Sequence, residues 1–219
     1  CVGCGFCKDS CRLEAIDRDG GFRVNAYACE GWGVCTQVCP ADAVTLRPAA
    51  SGKLQLYTRD RVFSTAELRM GSGNSGKLVT VVKKQMCQTG GDVRLAVIDG
   101  SPGIGCPVIA SVSGVDMVLI VAEPSVSGIS DMRRIITTAA VFGVPVTVCV
   151  NKCDANPALS AKIEAFCATH GISFVGRIPY DRGVIRAVNE GRSMAEDEGP
   201  AWRAIRGVYQ KTMDHLFTK

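Results

Sequence analysis

CVGCGFCKDSC, at residues 1–11, is the stretch that decides the fold of the first part of the chain, and a second form of it, CEGWGVCTQVCP, occupies residues 29–40. Seven of the twelve cysteines in this 219-residue chain stand in these two runs. With an offset of 28 residues, the cysteines and glycines of the first run recur in the second, except that Trp32 replaces the counterpart of Cys4. The runs therefore form an internal repeat with one cysteine missing.

Cysteines in the order C-x2-C-x2-C-x3-C resemble those of bacterial ferredoxins, in which the fourth thiolate of each run binds the cluster of the other run. This arrangement predicts one complete 4Fe-4S cluster, with the ligands Cys1, Cys4, Cys7 and Cys39. The second site is expected to be incomplete because of Trp32, and its three ligands are Cys11, Cys29 and Cys35. It could hold a 3Fe-4S cluster, a 4Fe-4S cluster with a non-protein ligand, or no cluster, with Trp32 filling the space by packing.

Two other uses of the cysteines fit the sequence less well. A disulfide framework is typical of small secreted domains, whereas the remainder of this chain has the pattern of a cytosolic α/β protein. A structural zinc site favours paired C-x-x-C units some distance apart, and the first run is a triple repeat of cysteines. We therefore expect iron–sulfur chemistry and a cytoplasmic location.

The composition divides the chain into a ferredoxin-like iron–sulfur domain at residues 1–47 and a nucleotide-binding remainder at residues 48–219, with Pro48–Gly52 as a linker. Forty-seven residues bury little apolar surface, so a cluster would supply much of the folding free energy of the first domain. After the linker, Leu54–Tyr57 alternates as a short strand, and Arg61–Phe63 is expected to pair with it.

From Leu95 onward, fully apolar segments alternate with segments of helical periodicity, which predicts α/β architecture with a mostly parallel, doubly wound sheet. Strands are expected at Leu95–Ile98, Met117–Ala122, Val146–Val150 and Ser173–Ile178. Helices are expected from Cys106, over Ser130–Val141, Leu159–His170 and Val184–Gly191, and over Pro200–Phe217. Ligands of such sheets bind at the carboxyl ends of the strands.

Polar residues follow these predicted strands. Asp99 could position Mg²⁺ through water, and the backbone N–H of Gly103 could contact a terminal phosphate. Asn151-Lys152-x-Asp154 resembles the N-K-x-D motif, whose amide and carboxylate hydrogen-bond a nucleotide base while the lysine stem covers the ring. Pro179 follows the fourth strand and completes the expected base pocket.

A second phosphate-loop pattern is expected to be an imitation. Residues 71–77 read GSGNSGK and satisfy G-x4-G-K, but Leu78 stands where a P-loop needs Ser or Thr to bind Mg²⁺. We interpret this stretch as a flexible loop before a helix over Leu78–Met86.

Taken in order, the cysteine repeat, Asp99-Gly-Ser-Pro-Gly103, Asn151-Lys-x-Asp154 and Ile178-Pro-Tyr-Asp181 resemble the MinD/ParA-type (SIMIBI) P-loop ATPases that carry an inserted ferredoxin domain. Ile104-Gly-Cys-Pro-Val and Asn74-Ser-Gly-Lys-Leu-Val also match segments typical of that group, so the resemblance covers essentially the whole chain. In that family, a first strand and a Walker A loop precede the insert. We therefore expect the phosphate-binding loop upstream of Cys1, and expect the chain to be inactive alone.

The resemblance implies binding of ATP and Mg²⁺ at Asp99, Gly103 and the base pocket, and a homodimer with ATP between the subunits. The leading hypothesis is an ATPase that couples ATP binding and hydrolysis to cluster handling or electron transfer, with an iron–sulfur or redox protein as partner. The alternatives are a non-hydrolytic iron–sulfur carrier or scaffold, and an electron-transfer module with a degenerate nucleotide domain. The formal net charge of +4 is scattered, so nucleic acid is not expected, and no apolar run has the length of a membrane span.

Overall fold

The computed structural model describes residues 1–196 and 198–218. Its internal contacts divide the chain into two compact units, Cys1–Asp99 and Gly100–Lys219. The predicted domain boundary at residues 47/48 falls inside the first unit and stays a prediction.

The cysteine repeat is also a repeat of backbone structure. Helices α1 (Phe6–Asp9) and α2 (Val34–Gln37) are single turns that begin 28 residues apart. Each follows a glycine in the left-handed region, with φ of 89° at Gly5 and 77° at Gly33. Glycine reaches this region without the steric cost of a Cβ, which explains why glycine stands at both positions.

The first unit has a very small core. Strand β1 (Ile16–Asp17) pairs antiparallel with β2 (Arg23–Val24), with Ile16 opposite Val24. Within residues 1–99, all of which the structure describes, Ala15 and Ile16 alone are buried. Burial of apolar surface therefore contributes little to the stability of this unit.

A hairpin and a helix complete the first unit. Strand β3 (Gly52–Thr58) pairs antiparallel with β4 (Val62–Leu68), which confirms the predicted pair of strands. Helix α3 (Ser75–Gly90) packs against β4, and Ser64 Oγ donates to Val82 O at 3.0 Å. The imitation phosphate loop therefore precedes a helix, as predicted, although the helix begins three residues earlier.

The strand predicted at Leu95–Ile98 is absent from the described residues, and that prediction was wrong. The segment has no strand as a hydrogen-bonding partner, and the Val97 side chain is 79% exposed. An apolar segment becomes a strand only when a neighbour accepts its backbone hydrogen bonds. Asp99 therefore follows an unpaired segment rather than a strand.

The second unit contains a parallel sheet that, among the described residues, has three strands in the order β5-β6-β7. The strands agree with the predicted segments to within one residue and are β5 (Val118–Ala122), β6 (Val146–Asn151) and β7 (Ser173–Ile178). The helices are α4 (Cys106–Val112), α5 (Val126–Val141), α6 (Pro157–Thr169), α7 (Arg182–Asn189) and α8 (Pro200–Phe217), with a 3-10 turn at Met194–Glu196.

Helices cover both faces of this sheet. Val148 and Val150 of β6 pack on one face with Met132 of α5 and Ile163 of α6. Cys149 points to the other face, where the buried residues are Cys149, Val175, Ile178, Ala201 and Val208. The doubly wound α/β interpretation is confirmed for this unit, and Cys149 and Cys167 are buried as predicted. No helix in the described part of the chain has both the length and the apolar character to cross a membrane.

Candidate functional site

One pocket brings both cysteine runs together. Its lining includes all four cysteines predicted to bind the first cluster, three from the first run and one from the second. The pocket is open to solvent and has a volume of about 90 Å³, and its lining residues are Cys1, Val2, Cys4, Gly5, Cys7, Phe22, Cys39, Ala43 and Val44. The crossing of Cys39 to the first run is the arrangement that the spacing predicted.

Four cysteines in one pocket are a donor set that fits an iron–sulfur cluster. In the described part of the chain, no three His, Cys, Asp or Glu side chains are placed to hold one ion. In a 4Fe-4S cluster, four Cys thiolates are the protein ligands. The side chains of Val2, Phe22 and Val44 add apolar walls, which favour a cluster by limiting access of water.

Cys39 already has hydrogen-bond donors around its sulfur. The backbone N–H of Ala43 donates to Cys39 Sγ at 3.3 Å. This N–H, followed by that of Ala41, lowers the pKa of the Cys39 thiol below its ordinary value. Because the thiolate is the form that binds metal, these donors prepare Cys39 for ligation.

The second cysteine set is less well defined. Cys11 lies just after α1, Cys29 is exposed in the loop before α2, and Cys35 lies in α2. Trp32 is 60% exposed, and its Nε1–H donates to Glu30 Oε2 at 3.2 Å. The indole ring therefore does not fill buried space, contrary to one possibility left open by the sequence.

The predicted base-recognition residues meet at the carboxyl ends of β6 and β7. Asn151 ends β6, and its Oδ1 accepts the backbone N–H of Lys152 at 3.0 Å. Lys152 has a φ of 51°, in the left-handed region. Its Nζ contacts Glu123 Oε1 at 2.6 Å, and this hydrogen bond and charge raise the pKa of Lys152. The ion pair joins the ends of β5 and β6.

Asp154 connects the end of β6 to the end of β7. Its Oδ1 accepts the backbone N–H of Tyr180 at 2.8 Å, and the Cys153 N–H donates to Ile178 O at 3.0 Å. Pro179 lies between these two contacts in the chain and is half-buried. One oxygen of Asp154 and the amide nitrogen of Asn151 have no role in these contacts and could meet a ligand.

The predicted magnesium and phosphate residues, Asp99 and Gly103, lie in different units of the chain. Asp99 is exposed at the end of the first unit. Gly103, with a φ of 88°, lies in the turn before α4 in the second unit. The roles of Asp99 and Gly103 stay predictions.

No family model matches the chain. Some of the similar known proteins match nearly the whole chain and others match only a part of it. An uncharacterized protein of Methanocaldococcus jannaschii is 28% identical over 99% of this chain and 73% of its own length. An uncharacterized ATP-binding protein of the same organism is 25% identical over 54% of this chain and 46% of its own length. The pyruvate synthase subunit PorD of Thermotoga maritima is 40% identical over 50 residues, which are 22% of this chain and half of PorD.

Among solved structures, the MinD cell division protein of Aquifex aeolicus matches with a TM-score of 0.52 and 23% identity. The match covers 63% of this chain and 60% of that structure. The chain therefore has a MinD-like α/β fold over the matched part, in agreement with the parallel sheet of the second unit.

Two acidic residues in these surroundings were missed by sequence reasoning. Glu123 directly follows β5, and Lys152 directly follows β6. Because ligands bind at the carboxyl ends of parallel strands, the position of Glu123 could have indicated from the sequence that it belongs to this site. Glu30 lies beside Cys29 but contacts residues more than forty positions later, and no local pattern announces such a contact.

Proposed function

We propose that this chain belongs to an iron–sulfur ATPase of the MinD type, in which ATP binding and hydrolysis are coupled to cluster handling or electron transfer. The observation that carries the proposal is the pocket lined by Cys1, Cys4, Cys7 and Cys39, because it joins the two cysteine runs. The MinD-like fold and the similarity to an ATP-binding protein support the nucleotide half of the proposal.

In this proposal, the four pocket cysteines hold a 4Fe-4S cluster, and the apolar walls limit its contact with water. Protein purified without oxygen should contain about four iron atoms per chain at this site. Cys39→Ala should lose this iron, whereas Cys87→Ala, which removes an exposed cysteine outside both runs, should retain it. Equal iron content in the two variants would contradict the assignment. More than four iron atoms per chain, or an EPR signal typical of a 3Fe-4S cluster, would indicate that the second site is occupied.

The nucleotide roles follow from the groups left available at the strand ends. The Asn151 amide would donate to the base, the second oxygen of Asp154 would accept from it, and the Lys152 stem would cover the ring beside Pro179. Asp99 would hold Mg²⁺ through water, and Gly103 would donate its N–H to the terminal phosphate. ATP bound in this way would lie between the two subunits of a homodimer.

Two substitutions test these roles in the full protein. Asp154→Ala should weaken binding of a fluorescent adenine nucleotide by roughly tenfold or more, since a hydrogen bond from the base to a charged group is lost. Asp99→Ala should abolish ATP hydrolysis. Asp60→Ala removes an exposed carboxylate from the β3–β4 turn and is the matched control. Unchanged binding in Asp154→Ala and unchanged turnover in Asp99→Ala would exclude this ATP site.

One observation favours a second candidate function, a non-hydrolytic iron–sulfur carrier or electron-transfer module. The segment before Asp99 pairs with no strand among the described residues, so no sheet edge fixes that carboxylate. A carrier would transfer its cluster to a metal-free ferredoxin at a rate independent of ATP. An electron-transfer module would show reversible cluster reduction with a potential that nucleotides do not change.

A further inference from the structure

The loop that imitates a phosphate-binding loop lies against the second cysteine run. Asn74 Nδ2 donates to the backbone carbonyl of Glu30 at 3.3 Å. A Cβ atom at Gly73 would stand 2.6 Å from Glu30 Oε1 and 2.7 Å from Glu30 Cγ, so the Glu30 side chain occupies the space beside this glycine. At Gly71 a Cβ would reach Tyr27 at 3.7 Å. The loop from Gly71 to Asn74 therefore follows the chain from Tyr27 to Glu30.

Glu30 is the centre of these contacts. Its carbonyl accepts from Asn74, its stem and one carboxylate oxygen lie at Gly73, and its other oxygen accepts the Trp32 indole N–H. Cys29 precedes Glu30, and Trp32 stands at the position that lacks a cluster ligand. Glu30 thus connects the loop before α3 with the part of the second run that departs from the repeat.

The position of the Glu30 carboxylate also explains why this loop need not bind phosphate. A phosphate loop offers free N–H groups at a helix N-terminus, where the helix dipole favours negative charge. In this chain, the protein's own carboxylate lies against Gly73, two residues before α3 begins at Ser75. A Cβ atom at position 73 would displace the Glu30 side chain from this place.

We propose that the loop Gly71–Asn74 is an internal clamp for the second cysteine run and that Glu30 is the positioning residue held by it. The clamp fixes the loop between Cys29 and α2, in a unit whose buried residues are too few to fix it by packing. The consequence for iron binding rests on the proposed iron–sulfur function, whereas the clamp itself exists in the metal-free protein.

The test follows Trp32 in metal-free protein. The chain has two tryptophans, so Trp202→Phe leaves Trp32 as the only one. In that background, Gly73→Ala should displace Glu30 and lower the fluorescence anisotropy of Trp32, and Glu30→Ala should lower it similarly. The double substitution should lower the Trp32 anisotropy no further than either single substitution, because both changes break the same contact. Gly90→Ala is the matched control, since its Cβ would meet Val93 at an ordinary 3.5 Å.

Three results would overturn the clamp. Anisotropy in Gly73→Ala and Glu30→Ala equal to that of Gly90→Ala would show that Glu30 does not hold Trp32. Additive losses in the double substitution would show two unrelated contacts. A fall in wild-type anisotropy on addition of pyrophosphate would show that the loop releases Glu30 to bind phosphate.

Iron content separates this inference from the proposed function. After anaerobic reconstitution, Gly73→Ala should lose iron beyond the first four atoms while the first cluster is retained. Protein without iron in every variant would contradict the iron–sulfur function, and the Trp32 anisotropy would still decide whether the clamp exists.

Discussion

Cys149 is the residue whose environment most changes its chemistry. It is fully buried in β6, and burial raises the pKa of its thiol to about 11. An unfolded cysteine ionises near pH 8.5, so between these pH values the unfolded chain releases a proton that the folded protein keeps. The contribution of Cys149 to stability is therefore fully present below pH 8.5 and is lost as the pH rises toward 11.

We predict that the free energy of unfolding of the wild type falls with pH over this window, by on the order of 2–3 kcal/mol through Cys149. Urea titrations at several pH values between 8 and 11 would measure this fall. Cys149→Ala should make the slope shallower, because the titrating group is gone. Val175→Ala, in the same core cluster, should lower stability and retain the wild-type slope. Parallel slopes in all three proteins would contradict the prediction.

Among the helices and strands, the junction of α7 and α8 depends on one carboxylate. Asp181 Oδ1 accepts the Gly183 N–H at 2.8 Å and so caps α7. Its Oδ2 accepts the N–H of Ala201, in the first turn of α8, at 3.3 Å. A cap is worth about 1 kcal/mol, so Asp181→Ala should cost about 1–2 kcal/mol when both acceptors are lost. Asp181→Asn keeps one oxygen and should cost less. Chemical denaturation would show whether this order holds.

The helices and strands of the second unit were predictable because each has a local signal. Strand β5 is an apolar run of five residues, and β6 and β7 are segments of six residues that are rich in apolar side chains. Helix α6 begins at the cap and proline of Asn156-Pro157, two residues before its predicted start at Leu159. Leu95–Ile98 carries the same apolar signal and forms no strand, because pairing depends on a neighbour that the local sequence does not specify.

In the candidate sites too, some contacts are predictable from a sequence pattern and others are not. The meeting of Cys39 with Cys1, Cys4 and Cys7 followed from the spacing of a repeat, and the joining of Asp154 to Tyr180 followed from adjacent strand ends. Glu30 and Gly73 are polar or small residues 43 positions apart, and neither periodicity nor a motif relates them. Contacts of this kind become visible only in three dimensions.

At the scale of the whole molecule, the two units differ in the interactions that stabilise each of them. Nearly all buried residues lie in the second unit, in three apolar clusters around the sheet and its helices. The first unit has Ala15 and Ile16. With apolar burial worth about 25 cal/mol per Å², two fully buried residues offset only a small part of the conformational entropy of 99 ordered residues. If the cysteine pocket binds the proposed cluster, metal ligation would supply folding free energy to the first unit.

We therefore predict that removal of iron affects the two units unequally. Chelation under reducing conditions should raise hydrogen exchange across residues 1–47 toward the rate of an unfolded chain, because bonds between the thiolates and iron replace a core there. Strands β5 to β7 should keep their protection, since their core contains no metal ligand. Cys39→Ala should reproduce the effect of chelation without a chelator, and Cys87→Ala should not. Equal protection of residues 1–47 before and after removal of iron would show that other contacts stabilise the first unit.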